Sequence, residues 1–142
     1  MFRREPASAR CPRCSRSPSW TADGPSYGFN ASGASWLPQP AQWAELARDV
    51  QRNRPDSTLS LYRSALTERR AHALGTGELQ WVDGYGDDVV AFRNGDITVI
   101  ANVGATPVPL PTGATVVLTS ASLEDGAIGS DTTVWLEGAR FG

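Results

Sequence analysis

The spacing of hydrophobic positions along the chain changes once, near residue 76. Ahead of that point apolar residues recur at helical intervals, and after it they alternate. Between residues 57 and 73, Leu59, Tyr62, Leu66 and Ala73 fall at steps of three, four and seven, with Leu61 and Ala65 widening the stripe. That pattern predicts a helix that buries one face. Its ends carry signals of their own. Asp56 and Ser57 follow Pro55 and can satisfy the free N–H groups of a first turn. Arg69, Arg70 and His72 suit the negative end of the helix dipole, and Gly75 can take a left-handed cap. A shorter helix is predicted over residues 41–51, where Trp43, Leu46, Ala47 and Val50 share a face and Pro40 stands at the start. Arg54-Pro55 ends it, because the residue before a proline resists helical geometry.

From Gly77 onward the period is two. Residues 78–82 and 89–93 alternate, and Asn94-Gly95-Asp96 is the strongest hairpin signal in the chain, joining the second of these to residues 97–103. Residues 107–111 are an extended, proline-rich segment confined to a sheet edge. Residues 114–119 and 132–136 complete a set of short strands whose spacing and turn density favour an antiparallel sheet or small sandwich. Residues 1–19 are different again, rich in Arg, Ser, Pro and Cys without periodicity, and are expected to be disordered. No repeat is visible.

Composition narrows the class. With 40% hydrophobic and 20% charged residues the chain reads as an ordinary globular one, and no apolar run approaches a membrane span of ~20 residues. The first twenty residues carry +4 from five arginines and Glu5, so the remainder carries −6 of the net −2. No apolar core follows those arginines, so the start does not read as a secretory signal and a cytoplasmic location is expected. All 13 basic residues are arginine, a bias that accompanies GC-rich coding. An arginine-rich start could attract nucleic acid by charge, but no aromatics interleave and the chain is acidic overall, so neither nucleic acid nor membrane is an expected partner.

WLPQP at residues 36–40, then PDSTLSLYR at residues 55–63, then an arginine pair and a short hydrophobic end resemble the last barrel helix of glycoside hydrolase family 13 α-glucosidases, particularly the actinobacterial type. GELQWVDG, VVAFRNG, ITVIANVG and TPVPLP look like the opening strands of that family's C-terminal β domain. The resemblance implies three parts. Residues 1–19 are unrelated to the family, residues 20–76 are the end of a catalytic barrel, and residues 77–142 are the C-terminal antiparallel β domain. A (β/α)8 barrel needs at least ~200–250 residues, and this chain has 142. The expected fold is therefore α+β and truncated: one or two helices, then a small antiparallel sheet or sandwich, with no complete barrel.

The family hydrolyses α-glucosidic bonds with two carboxylates about 5 Å apart, presented at the ends of barrel strands. In the family those residues lie upstream of anything resembling this sequence. The carboxylate pairs present, Asp87-Asp88 and Glu124-Asp125, flank glycines in evident turns and point apart, so no catalytic residue is expected. The family also carries an Arg-x-Pro-x-x-Trp motif whose arginine lines the sugar pocket. Arg16-Ser17-Pro18-Ser19-Trp20 is one residue short of it, which makes Arg16 a candidate sugar contact carried over from the resemblance. Tyr85, in a glycine-rich turn, is the second candidate and the aromatic expected to be most exposed, while Trp135 between Val134 and Leu136 reads as core. Cys11 and Cys14 form a single knuckle with no second pair, and His72 is the only histidine, so no metal or cofactor is expected. The resulting expectation is an inactive C-terminal part of an α-glucosidase, acting on α-glucosides only through a missing barrel and able to self-associate through uncovered apolar surface. The alternative is a stand-alone carbohydrate-binding or interaction module.

Overall fold

In a computed structural model, residues 21–141 are described. The chain forms two compact units, Met1–Ser60 and Leu61–Gly142, divided within a helix. Arg16, Trp20, Cys11 and Cys14 lie outside the described residues.

In the first unit, residues 21–60 are mostly turns. Pro25–Gly28 is a tight turn with Ser26 and Tyr27 left-handed at φ 47° and 51°, Ala41–Ala44 is a tight three-residue-per-turn helix, and α1 (Arg48–Gln51) is a single turn. The continuous helix expected over 41–51 is broken. Ala47 is extended at φ −62° and ψ 144°, and the Gln51 side-chain amide reaches back across this break to donate to the Leu46 carbonyl at 2.6 Å. Gln51 also accepts from the Leu59 N–H at 3.0 Å, so one side chain closes both turns. The start of α2 (Thr58–Ala71) follows the sequence signal. Ser57 Oγ accepts from the Ser60 N–H at 3.2 Å, a side-chain N-cap. Of the described residues in this unit only Ala47 and Ser57 are buried.

The second unit begins at Leu61 and is built on a five-stranded antiparallel sheet, in the order β1 (Leu79–Trp81), β2 (Val89–Asn94), β3 (Ile97–Asn102), β7 (Thr132–Glu137), β5 (Thr115–Thr119). A two-stranded ribbon of β4 (Val108–Pro109) and β6 (Ala127–Ile128) forms a second layer. Asn94 pairs with Ile97 across Gly95 and Asp96, so the hairpin forms where the sequence placed it, with Gly95 at φ 62° supplying the left-handed position.

Register separates the two faces of the sheet. Ala91, Ile100 and Val134 lie opposite one another on adjacent strands, and with Leu136, Ile128 and Ala139 they form the core under the ribbon. Trp81, Phe92, Val99, Trp135 and Leu118 form the corresponding row on the other face. A bulge at Val116–Leu118 inserts one extra residue in β5, which brings Leu118 into that row. Buried Asn102 joins the layers: its amide nitrogen lies 2.9 Å from the Thr106 carbonyl and 3.1 Å from those of Ile128 and Gly129, while its oxygen accepts from the Gly104 N–H at 3.0 Å. It satisfies backbone groups that a two-residue strand leaves unpaired.

Helix α2 ends in a Schellman motif. The Leu74 N–H donates to the Arg69 carbonyl at 2.9 Å and the Ala73 N–H to that of Arg70 at 3.2 Å. The left-handed residue of this cap is Ala73, at φ 49°, and not Gly75. This cap lets Leu74 turn inward beside Phe92, Val99 and Trp135.

Candidate functional site

Within the second unit, α2 lies along the Trp135 face of the sheet. Leu61 and Ala65 line an apolar groove of about 330 Å³ with Leu118, Thr133 and Trp135. One turn further on, Arg69 and Leu74 line a shallower cleft of about 260 Å³ over Phe92, Asn94 and Val99. The sheet-facing side of the helix is thus Leu61, Ala65 and Arg69. Tyr62 and Leu66, expected in the buried stripe, are 65% and 46% exposed, with Tyr62 at the border of the same groove. Each residue advances a helix by ~100°, so the pairs 61/65 and 62/66 mark two adjacent faces of one helix. One faces the sheet, and the other runs from the rim of the groove at Tyr62 into solvent at Leu66.

Each unit also leaves other large apolar side chains exposed. In the second unit Trp81 is 68% exposed and meets Phe92 edge to face, ring centroids 6.0 Å apart at 76°. Leu79, Val90 and Val103 are exposed as well. In the first unit Trp36 is 98% exposed, and Phe29, Leu37 and Leu46 are exposed with it. Trp36, Leu37, Phe29 and Trp43 border an open depression of about 330 Å³.

The expected sugar contact Tyr85 is not a free platform. It is half-buried against the core cluster, and that burial pushes its phenol pKa up. Trp135 is half-buried too, but on the helix-facing side of the sheet, opposite the Val134–Leu136 core it was expected to join. Asp88 stands in the turn before β2, where its carbonyl accepts from the Val103 N–H at 2.9 Å. Glu124 and Asp125 sit at the tip of the turn into β6, with Asp125 at φ 50°. They border a cleft of about 530 Å³ with Ser122, Ser130 and Thr132. Among the described residues no three His, Cys, Asp or Glu side chains gather into a group able to hold a metal ion. No described helix is long and apolar enough to cross a membrane.

One polar constellation had no local signal in the sequence. His72, at the end of α2, has its Nδ1 3.1 Å from Asp96 in the β2–β3 turn and its Nε2 3.6 Å from Glu68 one turn back. The hydrogen bond to Asp96 raises the His72 pKa above its ordinary range, aided by Glu137 and Glu68, and lowers that of Asp96. His72 and Asp96 are 24 residues apart in the chain, which no periodicity reveals.

No protein-family profile and no curated protein sequence matches the chain. Solved structures do share its fold. Isomaltulose synthase (PalI) from Klebsiella sp. LX3 superposes over 84% of this chain with a TM-score of 0.65 and 20% identity. An alpha-glucosyl transfer enzyme, XgtA, superposes over 86% with a TM-score of 0.62 and 24% identity. The chain spans only about a quarter of either structure, 24% and 25% respectively. Its α+β fold, two helices and a small antiparallel sheet without a barrel, is therefore one part of larger architectures of this type.

Proposed function

We propose that this chain is the C-terminal part of a glycoside hydrolase family 13 enzyme acting on α-glucosides, comprising the last helix of the catalytic barrel and the non-catalytic β domain. The observation that carries the reading is the two-sided helix α2, whose Leu61–Ala65 face lies on the sheet while Tyr62 and Leu66 stay exposed. A helix sandwiched between a β domain and a barrel needs apolar residues on both sides, and a helix that only caps a sheet needs one. The fold shared with a quarter of two glucosyl-handling enzymes supports the same reading.

In such an enzyme the reaction requires two carboxylates about 5 Å apart, one attacking the anomeric carbon and the other protonating the leaving oxygen. The upstream barrel supplies them. The β domain covers the last helix and fixes the barrel's closing edge. The purified chain should therefore release no glucose from maltose, isomaltose or sucrose, and Arg16 and Tyr85 should contribute no turnover. Glucose release that is abolished by a point change within this chain would overturn the assignment. Uncovered apolar surface should also make the chain self-associate as its concentration rises, measurable by sedimentation.

A further inference from the structure

We propose that His72 is a proton-operated clasp: as imidazolium it ties the last turn of α2 firmly to the β2–β3 hairpin, and as neutral imidazole, with one N–H and no charge, it holds that turn more loosely. The geometry carries this. Both ring nitrogens face carboxylates, Nδ1 toward Asp96 at 3.1 Å and Nε2 toward Glu68 at 3.6 Å, and the His72 side chain is only 17% exposed. A neutral imidazole has a single N–H and must aim its other lone pair at a carboxylate oxygen. Only the doubly protonated ring presents an N–H to both, a hydrogen bond to Asp96 and a longer ion pair to Glu68. The surrounding charges agree. Asp96 faces the ring from the hairpin, Glu68 from the helix and Glu137 from β7. The neighbouring Arg69 and Arg70 form no ion pair with any of the three among the described residues. The imidazolium is thus the positive partner of Asp96 and Glu68, with Glu137 adding a longer-range attraction.

The clasp sits where movement matters. Ala73 holds the left-handed cap one residue later, and Leu74 inserts over Phe92 and Val99 immediately after. Loosening His72 weakens the hold on this cap and on the end of the helix. The sign of the linkage follows from the two shifts. The folded-state pKa of His72 is raised, so its contribution is complete below its ordinary value of about 6.5 and is lost as pH rises through the raised value. That of Asp96 is lowered, so its contribution is present above about 3.9 and is lost as pH falls through the lowered value. The clasp is fully closed between those limits and loosens on the alkaline side. This inference does not depend on the enzyme family and holds for the chain as it stands.

The test combines an NMR titration of the His72 ring with amide hydrogen exchange at two pH values, one below and one above the raised pKa. Rates are corrected for intrinsic exchange. In the wild type, both ring nitrogens should carry protons at low pH and titrate above the ordinary histidine value. Protection of the His72, Ala73 and Leu74 amides should fall several-fold at the higher pH while that of Ile97–Asn102 holds. His72→Gln should abolish the pH response, and Asp96→Asn should return the titration toward the ordinary value. A wild-type ring titrating at or below that value, or the same pH response in His72→Gln, would overturn the clasp.

Discussion

Residues 21–60 and the β domain downstream of α2 both hold large apolar side chains and use them in opposite ways. In the β domain Ile97, Ile100, Ile128, Val134 and Leu136 are fully enclosed, because hairpins of short span bring complementary faces together. In residues 21–60 the large side chains Phe29, Trp36, Leu37 and Leu46 remain in solvent, and the buried positions are Ala47 and Ser57. What holds that region is a set of local polar ties. Asn30 Oδ1 accepts from the Gly33 N–H at 2.8 Å, Tyr27 donates to the Pro40 carbonyl at 3.2 Å, and the Ala22 N–H reaches the Asp49 carboxylate at 3.2 Å. Hydrogen bonds of this sort each contribute only about 1 kcal/mol net. A core contributes far more, since each large buried side chain is worth ~1.5–3 kcal/mol. One region has a core of its own, and the other leaves its large apolar side chains exposed.

The contrast can be broken by mutation. Leu136→Ala or Ile100→Ala should destabilise the sheet by about 2–5 kcal/mol, read as a lower denaturation midpoint. Asn102→Ala should cost about 1–3 kcal/mol, because three carbonyls lose their common donor and that of Ile128 is buried away from water. Ala73→Gly should stabilise by about 0.5–1 kcal/mol, since glycine occupies φ 49° without the Cβ penalty. Trp36→Ala should change the stability of this chain by no more than about 0.5 kcal/mol, despite deleting its largest type of side chain. A large loss from Trp36→Ala would mean the first region has a core of its own.

Features written locally were legible in the sequence, and those arising from tertiary packing were not. The Asn94-Gly95-Asp96 hairpin and the Ser57 cap each depend on a few consecutive residues, and both form as expected. The stripe on α2 was read as a single buried face because 61/65 and 62/66 lie one residue apart in the pattern. Only the sheet's position shows which pair it covers. Ala73 took the left-handed cap despite Gly75 nearby, because that register places Leu74 against Phe92 and Val99. The strand Ala127–Ile128 is too short to show alternation, yet Ile128 is fully buried. Tyr85 looked exposed from its glycine neighbours, but the same flexible turn lets the ring fold onto the core. The His72–Asp96 pair joins a helix end to a distant turn and leaves no periodic trace.

Native-state hydrogen exchange on the monomeric chain tests the central claim most directly, because it reads both regions in one sample. Amides of Ile97–Asn102 should exchange only through global unfolding, whereas those of residues 21–57 should exchange almost as fast as an unstructured chain. Equal protection of the two regions in a monomer would contradict the account, showing that residues 21–60 need no cover and that the chain is a self-sufficient domain.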